Sequence, residues 1–181
     1  MGTYIAILRG INVGGARKLP MKELKALFEA LGAKEVRTYI QSGNVVFTHQ
    51  PAQPQALAKK VEERIRKQFG FDVPVLIRSV AEWKAVAEKN PFLEQQGIDA
   101  EKLHVTFLDT EPGQAELDKI TDGAYGDDRF LPGERALYLY CPNGYGNTKL
   151  NNTFFESKLK RSATTRNWRT VKELLRLAQE Q

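Results

Sequence analysis

Arg9-Gly-Ile-Asn-Val-Gly-Gly15 is the segment whose residue types most invite chemistry. It follows the apolar run Tyr4–Leu8, which reads as a buried strand, and precedes Pro20-Met-Lys-Glu-Leu24, which reads as the first turn of a helix. Strand, glycine-bearing basic loop and helix start in that order suit an anion cradle, because backbone N–H groups converge there. Gly14 and Gly15 can adopt positive φ and bring the backbone close to an oxyanion. Arg9, Arg17 and Lys18 would add charge, and Asn12 an amide that donates and accepts. The plainer reading is a strand-to-helix connection that needs two glycines to turn. No Gly-Lys-Ser/Thr appears and the third glycine of the dinucleotide pattern is missing, so neither standard nucleotide loop fits.

Three other segments carry polar groups of the right kind. Gln41-Ser42-Gly43-Asn44 could present two amides and a hydroxyl, although Gly43 and Asn44 also satisfy a tight hairpin. In the expected fold, that hairpin tip is not obviously near the first loop. In Thr164-Thr165-Arg166-Asn167-Trp168, Arg166 can fork onto a phosphate or carboxylate and Trp168 can stack on a ring. The plainer reading gives the threonines to capping, Arg166 to an acidic neighbour and Trp168 to packing. Lys149 and Asn151 precede a helix start, where an asparagine caps and the lysine could meet an anion.

The usual catalytic arrangements are thin. His49 and His104 fall in different halves, and His104 lies in an apolar strand where a satisfied sheet residue is expected. There is no His-Glu-x-x-His and no Cys-x-x-Cys, so neither a metal site nor a cofactor is called for. Ser42 lacks the Gly-x-Ser-x-Gly setting, and Cys141 has no sign of activation. An RNA-recognition sheet would need more aromatics on its first and third strands than Tyr4 and Phe47 supply.

Charge sharpens the expected partner. The 181 residues carry a net +5, and the charge is uneven. Residues 1–80 hold 13 Lys and Arg against 6 Asp and Glu, residues 81–135 hold 6 against 13, and residues 136–181 hold 8 against 3. Basic ends favour an anionic small molecule or nucleic acid. One cysteine, no signal-peptide pattern and no long apolar run suggest a cytoplasmic protein with no membrane role.

These residues need elements to hold them. Leu24, Leu27, Phe28 and Leu31 recur at helical spacing after Pro20, which suits the first helical position, and Gly32 suits the stop. Val36–Ile40 and Val45–Thr48 read as a hairpin. Leu57, Val61, Ile65 and Phe69 step along a second helix whose outer face holds Lys59, Lys60, Arg64, Arg66 and Lys67. Val73–Arg78 reads as a strand, which completes βαββαβ, the ferredoxin-like order. A helix near Glu82–Glu88 and a linker over 90–102 follow. Beyond them a strand at Leu103–Leu108, a helix near Gln114–Ile120, two strands at Arg129–Leu131 and Ala136–Cys141, and helices capped by Thr153 and Thr170 read as βαββα plus an extra helix. The expected fold is α+β: two ferredoxin-like halves in tandem, helices packed on antiparallel sheets. The halves are 1–80 and 103–181, with helix and linker over 81–102.

Four segments together carry a family resemblance: Arg9–Gly15, Thr38-Tyr-Ile-Gln-Ser-Gly-Asn-Val-Val-Phe47, Lys149-Leu-Asn-Asn-Thr-Phe-Phe-Glu156 with Leu159, and Ala163–Trp168 with Thr170-Val171. In this order and spacing the chain resembles the domain-of-unknown-function family numbered 1697. The resemblance implies an α/β protein of two related halves and supplies no reaction. Three readings of function follow. The leading one is a binding protein for a phosphate-bearing or other anionic ligand, nucleic acid included, anchored by Arg9, Asn12, Gly14, Gly15 and Lys18 and closed by Arg166 and Trp168. The second is an enzyme acting on a small phosphorylated or carboxylated substrate oriented by Ser42, Asn44, Arg166 and Asn167, with Gln41, Lys149, Asn151 and Thr165 nearby. The third is an interaction module whose motifs serve only turns and caps.

Overall fold

The computed structural model describes residues 1–181. The chain divides into two compact units, Met1–Lys84 with Glu173–Gln181, and Ala85–Lys172. The first contains β1 (Gly2–Leu8), α1 (Met21–Ala30), β2 (Lys34–Tyr39), β3 (Asn44–His49), α2 (Pro54–Phe69) and β4 (Val75–Ser79). Its strands form one antiparallel sheet in the order β2-β3-β1-β4. Alternation along β1 sends Tyr4, Ala6 and Leu8 to one face. There they form one core with Leu24, Leu27 and Phe28 of α1 and Leu57, Val61 and Ile65 of α2. Ile5 and Ile7 on the other face are fully buried too, which explains why β1 is a continuous apolar run and does not alternate.

α3 (Val80–Glu88) leads to two short 3-10 turns, Pro91–Glu94 and Ala100–Lys102, in the expected linker. The second unit then runs β5 (Leu103–Leu108), α4 (Gln114–Thr121), β6 (Arg129–Gly133), β7 (Ala136–Tyr140), α5 (Asn152–Leu159) and β8 (Ala163–Asn167), and α6 (Trp168–Gln179) follows. Its sheet order, β6-β7-β5-β8, repeats that of the first. β8 corrects the expected βαββα. Thr164 to Asn167 pair with β5, Arg166 opposite Val105 and Thr165 opposite Thr106, and the two threonine hydroxyls hydrogen-bond at 2.7 Å. A five-residue strand of threonine, arginine and asparagine has no apolar alternation to announce it, although threonine suits a pleated surface.

Cap positions also differ from expectation. Pro20 sits one residue before α1 with extended ψ. At α5 the sequence offers both an asparagine and Thr153; Asn151 is the cap, accepting from Phe154 N at 2.9 Å. Asn167 caps α6, accepting from Thr170 N at 2.8 Å. Thr170 therefore lies inside the first turn.

The two units share backbone detail as well as order. Leu8 N donates to Gly43 O at 2.8 Å, and Leu108 N to Arg135 O at 2.9 Å. Arg9 N donates to Pro74 O at 3.0 Å, and Asp109 N to Ser162 O at 3.2 Å. In each unit the end of the first strand is thus held by the hairpin turn on one side and by the approach to the fourth strand on the other. Arg78 lies opposite Ile5 as Arg166 lies opposite Val105. Each arginine is followed by a cap, Ser79 or Asn167, and then a helix.

Candidate functional site

The loop after β1 folds as a short finger. Asn12 N donates to Arg17 O at 3.1 Å and Ala16 N to Val13 O at 3.0 Å. Gly14 and Gly15 form the tip with φ of 58° and 76°; two successive left-handed residues are what a type I′ turn requires. A Cβ at either glycine would meet nothing within 4 Å. The glycines are therefore needed for backbone conformation, not for close approach of a neighbour. Asn12, itself at φ 55°, ties the finger down: its Nδ2 donates to Leu19 O at 2.9 Å and to Gln41 O at 2.8 Å, and its Oδ1 accepts from Leu19 N at 2.8 Å.

The bond from Asn12 to Gln41 joins the finger to the β2–β3 hairpin tip. The topology requires this proximity: β1 and β3 are antiparallel with Ile7 opposite Asn44, so the end of β1 meets the start of β3. Gly43 is where the two pack closest. Its φ is 85°, and a Cβ there would lie 2.8 Å from both Leu8 Cβ and Ile11 Cδ1. Asn44 is fully buried and donates to Tyr39 O at 3.0 Å and Ser42 Oγ at 2.9 Å, so its amide helps close the hairpin. Ile40 adopts φ 49°, which is unusual for a β-branched residue.

Gly14, Gly15, Arg17, Lys18 and Gln41 are exposed at this end, and Arg9 is partly exposed. Arg17 and Lys18 make no ion pair. The last turn of α2 adds Arg66 and Lys67, because that helix returns the chain to Val75 opposite Leu8. Asp72 lies 3.5 Å from Arg66, and the Glu62 carboxylate accepts from Val75 N at 2.9 Å. Val13 is 67% exposed and Ile40 50% exposed, so the finger and the adjoining hairpin turn each present a large apolar side chain. The sequence signal for Val13 and Ile40 is a β-branched residue beside a glycine-bearing turn.

The remaining candidates belong to the second unit. Lys149 is exposed and Asn151 is committed to the α5 cap. Thr165 Oγ1 donates to Asn152 Oδ1 at 2.7 Å, which fastens β8 to the start of α5. Asn167 is committed to the α6 cap, and Trp168 is buried. Arg166 is partly buried and donates from Nη1 to Thr165 O at 3.0 Å. Burial lowers its guanidinium to about 10, against a raising influence from Tyr145, so it stays cationic at neutral pH.

Other reactive groups are quiet. Cys141 is fully buried, and burial pushes its thiol up to about 11. His104 stacks on Tyr145 with centroids 4.7 Å apart. It lies in β5 as expected; its Nδ1 is buried without a close hydrogen-bond partner. Burial is the main cause lowering its imidazole below the ordinary value, and the Lys102 backbone favours its protonated form. No group of three or more His, Cys, Asp or Glu is placed to hold a metal ion, and no helix is long and apolar enough to cross a membrane.

Residues 1–138 match the model of a family described as a protein of unknown function, DUF1697. A solved structure, that of the conserved bacterial protein SP0830 from Streptococcus pneumoniae, is similar over 98% of each chain, with 23% identity and a TM-score of 0.76. At that identity the likeness speaks for the fold. No curated protein matches the chain.

Proposed function

We propose that this chain, which belongs to the DUF1697 family, is a binding protein for phosphate-bearing ligands, nucleic acid included, and that it engages them with the finger end of its first unit. The observation that carries this reading is the pair of exposed, unpaired cations Arg17 and Lys18 on a finger fixed by the three hydrogen bonds of the Asn12 side chain. Cations on a preordered loop lose little freedom on meeting a phosphate. Arg66 and Lys67 extend the field along the same end, so a ligand with several phosphates gains more than one with a single phosphate. Val13 and Ile40 offer apolar contact to a sugar or base. The left-handed backbone of Ile40 is a strain of about 1–3 kcal/mol, of the kind that clusters at functional sites.

The test is an anisotropy titration of a fluorescein-labelled single-stranded oligonucleotide at low salt, with pyrophosphate as competitor. Lys18→Glu and Lys34→Glu change net charge equally, but Lys34 starts β2 at the end of the sheet away from the hairpin tip. Lys18→Glu is expected to weaken binding at least several-fold more than Lys34→Glu. Equal effects would reduce the reading to non-specific charge, and no binding by the unaltered protein would remove it.

A further inference from the structure

The second unit holds a cavity of about 230 Å³ lined by Phe92, Gln95, Tyr125, Asp128, Arg129 and Phe130 among others. Arg129, an exposed residue at its edge, is held by three neighbours. The guanidinium carbon lies 5.4 Å from the ring centroids of both Phe92 and Tyr140, and those rings are 6.0 Å apart. Nη1 donates to Gln95 Oε1 at 3.2 Å. Two cation–π contacts and one hydrogen bond set the plane of the fork, yet Arg129 makes no ion pair with any carboxylate. Most of its donors are left for something else.

The opposite charge lines the same cavity. Asp128 immediately precedes β6 and lines the cavity with Arg129. Its Oδ2 accepts from Thr148 Oγ1 at 2.6 Å, which fixes the carboxylate. The apolar wall is stiff. Tyr125 is held by its hydroxyl, which donates to Ile120 O at 2.6 Å, and its ring meets Phe130 edge-on at 6.1 Å.

A fixed guanidinium fork, a fixed carboxylate that does not neutralise it, and an aromatic wall define a ligand with matching parts. Arg129 takes a carboxylate in bidentate fashion. Asp128 would repel a simple anion and instead takes an ammonium. The wall takes an apolar side chain. We propose that this cavity binds a free α-amino acid with an apolar side chain. A peptide C-terminus lacks the neighbouring ammonium and an N-terminus lacks the carboxylate, and the cavity is smaller than the roughly 300–1,000 Å³ of drug-sized sites. This site is independent of the finger of the first unit.

The experiment is an NMR titration of the amide resonances of the full chain with leucine, leucinamide and N-acetylleucine. Leucine is expected to give saturable shifts centred on Gln95, Tyr125, Arg129 and Phe130. Leucinamide, without the carboxylate, and N-acetylleucine, without the ammonium, are each expected to bind at least about tenfold more weakly, as the loss of one charge-assisted contact requires. Arg129→Lys keeps the charge but not the fork and is expected to weaken leucine with the spectrum otherwise folded. No saturable shift at tens of millimolar leucine, shifts centred elsewhere, or equal affinity for the three compounds would overturn the proposal.

Discussion

At the residue scale, three glycines of similar backbone geometry separate two kinds of requirement. Gly14 and Gly43 both have positive φ, but only Gly43 has neighbours where a Cβ would go. Gly14→Ala therefore carries the left-handed penalty alone, about 1–2 kcal/mol. Gly43→Ala adds displacement of Leu8 and Ile11, and is expected to destabilise by about 2–5 kcal/mol. Denaturant midpoints of the two variants check the order; equal losses would mean that the finger and hairpin tip are not packed as described. Gly15 should follow Gly14. His104 supplies a pH dependence. Its folded imidazole titrates below the unfolded value, so the unfolded chain binds more protons in that window. Its stabilising contribution is full above the unfolded value near 6.5 and is lost as pH falls through the folded one. Urea midpoints should fall from pH 8 to pH 5, and less steeply for His104→Phe, which can still stack on Tyr145. An unchanged slope in that variant would assign the acid sensitivity elsewhere.

At the scale of elements, helical periodicity was legible and strand polarity was not. Leu57, Val61 and Ile65 mark α2 because one face is buried and the other solvated. β8 escaped because its ladder is satisfied by Thr164, Thr165 and Arg166, residues that also suit loops and caps. Without β8 in view, Asn167 reads as a ligand contact and not as the α6 cap it is. The repeat of the Arg78 sheet position by Arg166 is hidden too. The caps are testable apart from any ligand. Asn151→Ala and Asn167→Ala should each cost about 1 kcal/mol. Thr153→Ala, at an exposed position that does not cap, should stay within about 0.5 kcal/mol of the parent. Thermal melts of the three decide it, and a larger loss at Thr153 than at Asn151 would reverse the assignment.

At the scale of the whole molecule, the ferredoxin-like order was readable from the succession of periods, and with it came more about the site than the motifs alone gave. Once β1 and β3 are antiparallel neighbours, the loop after β1 must meet the β2–β3 turn. That follows from topology, and no residue in either segment signals it. What could not be read was how each polar group is spent. Asn12, Asn151 and Asn167 have the same composition-level promise as Lys18, yet their side chains make the local bonds that shape loops and caps. The exposed cations are what those bonds leave for a partner. The most direct measurement of the account is the dependence of oligonucleotide affinity on salt. For the unaltered protein, log K should fall linearly with log salt. The Arg17→Ala/Lys18→Ala double variant should lose about 1.4 from the magnitude of that slope, two contacts at about 0.7 each for a single strand. A slope unchanged by the double variant, or no binding at low salt, would contradict the claim that the finger holds phosphate.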